Sequence, residues 1–240
     1  MSRRPEVLKA LGLAPLWIRR GAAEAAGAAS PSAAVEAATP ADRATRIAAM
    51  DWPQLKASVS ACTACALHRA RKQAVFGVGD EKARWLFVGE GPGAEEDERG
   101  EPFVGQAGKL LDNMLAAIGL RRGEGVYIAN VVKCRPPGNR TPQPGEAHAC
   151  EPYLHRQIEL MRPMLIVALG KVAAQNLLGV EATLSSLRGR VHDFRGTPLI
   201  VTYHPAYLLR TLADKAKSWE DLRFAVDTMQ ALKRQAEVPN

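Results

Sequence analysis

The residues able to do chemistry in this 240-residue chain fall into two sets, four cysteines and a group of loop residues that follow apolar runs. Cys62 and Cys65 form one close pair, CTAC, while Cys134 (VVKCRPPGNR) and Cys150 (GEAHACEP) are dispersed. A structural zinc site usually draws on two close pairs. One pair with two scattered thiols suits a larger centre, and four thiolates are the usual ligand set of a [4Fe–4S] cluster. Spacing alone leaves three readings open: an iron–sulfur cluster, a zinc site, or four small buried residues.

The second set begins with GEGPGAEEDERGEPFVGQAG, residues 89–108. It is neither GxxxxGK[ST] nor GxGxxG, and Pro92 argues against a phosphate-binding helix start there. Gly91 and Gly93 admit a flat ligand close to the backbone. Phe103, in EPFVG, is either a stacking platform or a core anchor for the loop. Asn130 ends an apolar run and needs partners; its amide either reads a pyrimidine edge or caps a loop. His204 stands before Pro205 at the end of another apolar run. The string Glu95, Glu96, Asp97, Glu98 would repel phosphates, so most of it is expected in solvent, with one carboxylate free to orient a water.

Four apolar runs must position these residues: 85–90, 126–132, 164–170 and 198–204. Between and after them lie helix-period segments near 107–118, 145–161, 171–178 and 218–235. Continuous apolar strands alternating with helices predict a parallel sheet covered on both faces. Ligands on such sheets bind beyond the carboxyl ends of the strands, where residues 89–108, 130–144 and 204–210 converge. The formal charge of +7, from 32 basic and 25 acidic side chains, fits a polyanionic partner without requiring one. No stretch approaches the roughly 20 apolar residues of a membrane span. Nor does the start of the chain read as a signal peptide. Both point to a cytoplasmic location, where cysteines serve as ligands or free thiols rather than disulfides.

Taken together, GEGPGAEEDERGEPFVGQAG, YIANVVKCRPPGNRTP, TYHPAYLLR and the four cysteines resemble the family 4 uracil-DNA glycosylases over about residues 50–235. The resemblance implies a three-layer α/β/α sandwich around a four-stranded parallel sheet. It also implies a structural [4Fe–4S] cluster on Cys62, Cys65, Cys134 and Cys150. The activity implied is base-excision repair, with hydrolysis of the N-glycosidic bond of flipped-out deoxyuridine, in single- or double-stranded DNA, to leave an abasic site. By the same resemblance Glu90, Gly91 and Pro92 line the uracil pocket, Phe103 stacks on the base and Asn130 reads its Watson–Crick edge. His204 donates to uracil O2, and Glu96 matches an acidic position implicated in activity. Arg140, Tyr207, Leu208 and Arg210 are candidate DNA contacts, with Ala206 where Ser is commoner. The related family 1 enzymes carry a water-activating Asp where Gly91 stands, so Glu90, Glu96 or the DNA phosphates must compensate. TLSSLRGRVHDFRG, with His192, does not match the insert of a related class that is trapped covalently on DNA, so turnover without a covalent intermediate is expected.

Residues 21–45, rich in Ala, Ser and Pro, read as a tether between residues 1–20 and a glycosylase domain at 46–240. LKALGLAPLWIRRG resembles the N-terminal peptide of the clamp-loader psi subunit, which implies a docking peptide for the replication machinery; an incidental leader is the other reading. The chain is expected to act as a monomer, near the nucleoid of a bacterial cell. The rival functions are a non-catalytic nucleic-acid or replisome binder of the same fold and a zinc-stabilised nucleotide-binding module.

Overall fold

A computed structural model describes residues 40–237. Residues 1–20, with the psi-like peptide, and most of the 21–45 stretch lie outside the described residues. Among the described residues, no helix is long and apolar enough to cross a membrane.

The sheet has the order β1-β3-β2-β4-β6-β5. Its centre is the expected four parallel strands: β2 (Trp85–Gly89), β3 (Val126–Asn130), β4 (Leu165–Leu169) and β6 (Thr197–Thr202). β2, β3 and β4 are buried at every position, which is why they read as unbroken apolar runs. Two edge strands escape the sequence reading. β1 (Val78–Gly79) pairs antiparallel with β3, and β5 (His192–Phe194) pairs antiparallel with β6. The first is two residues long, and the second is too short and too polar to register as an apolar run. The β5–β6 turn is made by Arg195 and Gly196, both at positive φ (51° and 84°), as a tight two-residue hairpin requires.

Successive strand residues point to opposite faces and build two cores. Leu86, Val88, Ile166, Ala168, Leu199 and Val201 pack with α1 (Pro40–Ala48), α2 (Trp52–Ser60), α5 (Pro144–Met161) and α6 (Lys171–Leu178). Phe87, Ile128, Val167 and Ile200 pack on the other side with α4 (Gln106–Ala117) and the last helix, α9 (Lys215–Glu237). That is the three-layer sandwich. Three short helices complete the connections: α3 (Ala94–Arg99), α7 (Leu184–Leu187) and α8 (Pro205–Leu208).

α1 starts inside the stretch that reads as a tether. Low side-chain bulk suggests a linker there, but Arg43 fastens the segment. Its guanidinium donates to the Ala149 carbonyl at 2.9 Å and lies 4.8 Å over the Tyr153 ring.

The loop after α7 is tied to α9 by a buried ion pair. Arg188 Nε donates to Asp221 Oδ2 at 2.6 Å, Nη2 donates to the Lys217 carbonyl at 2.6 Å, and Asp221 is only 3% exposed. Arg188→Met should strand that carboxylate and cost about 3–5 kcal/mol in urea unfolding. A loss below about 1 kcal/mol would mean that the pair contributes as little as a surface one.

Candidate active site

The parallel strands end at one rim, and the loops that follow enclose a cavity of about 470 Å³. The loop after β2 supplies Glu90, Gly91, Pro92, Glu96 and Phe103. The end of β3 supplies Asn130 and the loop after it Arg140, and the segment after β6 supplies His204, Tyr207 and Arg210. The rim therefore gathers every expected pocket residue, from three separate stretches of sequence.

Phe103 is the most constrained of them. Its φ is 57°, in the left-handed region that non-glycine residues avoid. Arg122 donates to the carbonyls of Pro102 and Phe103, each at 2.8 Å. The Gly108 backbone presses so close that a Cβ there would stand 1.8 Å from the Phe103 carbonyl oxygen. The ring is 6% exposed, packs into the apolar core and lines the cavity, with its centroid 5.5 Å from that of His204. Core anchor and pocket wall are one and the same ring.

Glu96 explains how the loop holds this shape. Its Oε1 accepts from the N–H groups of Val104 (2.9 Å) and Gly105 (3.1 Å), and its Oε2 from that of Gly93 (3.0 Å). The acidic string is not a solvated row: Asp97 is buried and accepts from the Lys72 N–H at 2.9 Å. It forms α3, which begins two residues beyond Pro92 with Gly93 as its cap. Arg122, Glu96 and Asp97 thus act as fasteners, a role that sequence position did not signal.

Asn130 is 2% exposed, and its buried Oδ1 has no hydrogen-bond partner among the described residues. Such an orphan acceptor is costly in a folded protein. It sits against Gly89, where a Cβ would come within 2.5 Å of both Asn130 Oδ1 and Phe103 Cζ. The missing side chain of Gly89 lets the amide and the ring share the pocket floor.

His204 caps α8, its Nδ1 accepting from the Ala206 N–H at 3.2 Å. In the neutral ring the proton therefore sits on Nε2. Burial, with Arg210 second, pushes the imidazole down to about 4 from its ordinary 6.5, against a smaller opposite effect of Glu96. Burial pushes the Glu90 carboxyl above its usual range, opposed by a hydrogen bond with Thr141.

The candidate DNA contacts divide. Tyr207 is 36% exposed, stacks on Tyr203 (5.4 Å, 13° between planes) and donates to Asp214 at 2.6 Å. Arg210 is exposed at the cavity edge. The guanidinium of Arg140 is engaged by both oxygens of Glu146, at 2.7 and 2.8 Å. Leu208 must be corrected: it is 1% exposed and packs with Met114, Tyr203 and Leu222, because the short α8 turns that side into the core. Leu209, 42% exposed, is the outward leucine.

The four cysteines form no disulfide and line a second, smaller cavity. Donors are aimed at three of the sulfurs. Arg71 reaches Cys134 at 2.9 Å, Arg43 reaches Cys62 at 3.7 Å, and the Lys133 N–H reaches Cys150 at 3.3 Å. Burial pushes the free Cys150 thiol up to about 12, so a thiolate there needs bound positive charge. Around one tetrahedral zinc the sulfurs would crowd to about 4 Å of one another. Among the described residues no three His, Cys, Asp or Glu are set to hold a single ion. Four thiolates lining one cavity are the usual ligand set of a four-iron cluster, so the donor chemistry of these residues suits one.

Lys133 also escaped the sequence reading. It lies between the two cavities, fully buried, and its only signal was a lysine inside the apolar run IANVVKC.

Comparison with known proteins agrees with this geometry. The family model described as "Uracil DNA glycosylase superfamily" matches residues 76–223. A type-4 uracil-DNA glycosylase of Archaeoglobus fulgidus is 52% identical over 159 residues, which covers 63% of this chain and 79% of the relative. Similar proteins of the same name occur in Thermotoga maritima (48% identical; 66% of this chain, 83% of the relative) and Pyrobaculum aerophilum (45%; 72% and 92%).

Gly89→Ala tests the shared floor. The added methyl must displace the Asn130 amide or Phe103, and should cost roughly 1–3 kcal/mol in chemical denaturation. Unchanged stability would show that the floor has room to spare.

Proposed function

Since the chain belongs to the uracil DNA glycosylase superfamily, on its type-4 branch, we propose that it hydrolyses the N-glycosidic bond of deoxyuridine in DNA. Uracil is released and an abasic site remains. The observation that carries this reading is the orphan Oδ1 of Asn130 at the floor of the cavity where the parallel strands end. A non-catalytic binder has no use for that pocket.

Uracil presents an N3–H donor and an O4 acceptor on one edge. Asn130 Oδ1 accepts from the first and its amide NH₂ donates to the second. Cytosine presents the reverse pattern, an acceptor at N3 and a donor at N4, and leaves both amide groups opposed. The base reaches this depth only when rotated out of the stack, at a cost of a few kcal/mol. Stacking on Phe103 offsets part of that cost, on a ring whose backbone is already fixed by Arg122 and Glu96.

Breaking C1′–N1 leaves a cationic sugar, and the bond's electron pair stays on uracil. His204 donates from Nε2 to O2, where that charge collects. A neutral imidazole suits this role, because it stabilises the anion without the cost of holding a buried cation beforehand. A water oxygen then bonds to C1′ and gives up its proton to the Glu90 carboxylate, and a proton returns to the uracil anion. Glu90, which also lines the cavity, is the carboxylate that orients that water, while Glu96 is committed to three backbone N–H groups that hold the loop. Glu96 acts as a positioning residue. Tyr207 and Arg210 meet the strand at the cavity mouth.

The four cysteines hold a [4Fe–4S] cluster in this reading. When bound, it supplies a rigid cross-link between the turn after α2, the loop after β3 and α5. The side chains that do the glycosylase chemistry lie in the other cavity.

The test uses an oligonucleotide with one uracil, treated with alkali after incubation so that an abasic site yields a nick. Asn130→Ala and His204→Ala should each lower kcat/KM by about 10²–10³, and the absence of a nick with the wild type would overturn the reading. The state of His204 is a separate prediction. Its folded pKa lies below the unfolded value, so the ring stays neutral through pH 6.5 and stability falls as pH drops from there towards 4. An NMR titration of the ring should give a midpoint near 4; a midpoint at 6.5 contradicts the neutral-donor role.

A further inference from the structure

Lys133 is 1% exposed, a costly place for an ammonium group. Its Nζ donates to the Asn130 carbonyl at 3.0 Å and to Gln157 Oε1 at 2.6 Å. Its N–H donates to Cys150 Sγ at 3.3 Å, and its carbonyl accepts from the Val75 N–H at 2.7 Å. Gln157 is fixed in turn by donating to the Phe76 carbonyl at 3.0 Å. One residue thus stands with its main chain on the cysteine cavity and its side chain on the backbone of the pocket asparagine.

We infer that Lys133 is a positioning residue of the glycosylase site: its ammonium fixes the Asn130 main chain, and with it the aim of the amide, while its N–H ties that hold to the Cys150 sulfur. The inference rests on Asn130 as the base-reading residue. An alkyl chain of the same length would fill the space but could not hold the carbonyl. A purely structural lysine would affect all functions of the fold alike, whereas a positioning lysine acts through Asn130.

A double-mutant cycle separates these roles. The full chain, Lys133→Met, Asn130→Ala and the double variant are compared for uracil release from DNA and for calorimetric binding of free uracil. Iron, sulfide and the visible absorption of each preparation are measured alongside. Lys133→Met should lose roughly ten- to a hundredfold in kcat/KM, bind uracil more weakly and keep its iron and sulfide. The double variant should lose no more than Asn130→Ala alone. If Lys133→Met does not fold, the cycle runs with Lys133→Gln, which keeps an N–H donor without the charge and should lose less than tenfold, again with no further loss in the Asn130→Ala background. Losses that simply add, or wild-type behaviour of the Lys133 variant, overturn the inference while uracil release by the wild type leaves the glycosylase reading standing. A wild type that releases no uracil overturns that reading and this inference with it.

Discussion

The space that a methyl group on Gly89 would fill is shared by the Asn130 amide oxygen and the edge of Phe103. This close approach at the ends of two neighbouring parallel strands sets the depth of the pocket, and other features of the rim serve it. Phe103 keeps a left-handed backbone because Arg122 holds its carbonyl and Glu96 holds the next two N–H groups. Strain of this kind persists only where the surroundings over-determine it. The orphan Oδ1 carries a similar cost. Both become reasonable if the missing partner is a flat base with a donor on its edge.

The two cavities differ in construction. The larger is built from strand ends and the loops that follow them. The cysteine cavity brings together a turn, a loop and a helix that are distant in sequence. Cys134 lies four residues after Asn130, so the same loop serves both. Lys133 is the residue between them whose contacts reach in each direction.

Much of this was legible in the sequence because burial on both faces leaves a plain trace. β2, β3 and β4 are unbroken apolar runs, and the polar residues just beyond the strands had to meet at one rim. Asn130 and His204 stood out for that reason, and Phe103 as an aromatic in a glycine-rich loop. The edge strands were not legible, since two or three residues make no period. Leu208 and Leu209 are adjacent and chemically alike; only the turn of α8 decides which is buried. The acidic string misled because composition cannot distinguish solvated carboxylates from one that accepts three backbone N–H groups. Lys133 was hidden by its neighbours, as an apolar run with one lysine reads as a strand end near water. The first helix was masked by the low bulk of the stretch around it, although Arg43 anchors it through a contact 106 residues away in sequence.

The central claim is that the Asn130 amide, held by Gly89, Phe103 and the strand end, reads the edge of an extruded uracil. A crystal structure of the chain with free uracil tests this most directly. The ring should stack on Phe103, with N3 within hydrogen-bond distance of Asn130 Oδ1 and O2 facing His204 Nε2. Uracil bound elsewhere, or seated in this cavity with its N3–O4 edge turned away from Asn130, would contradict it.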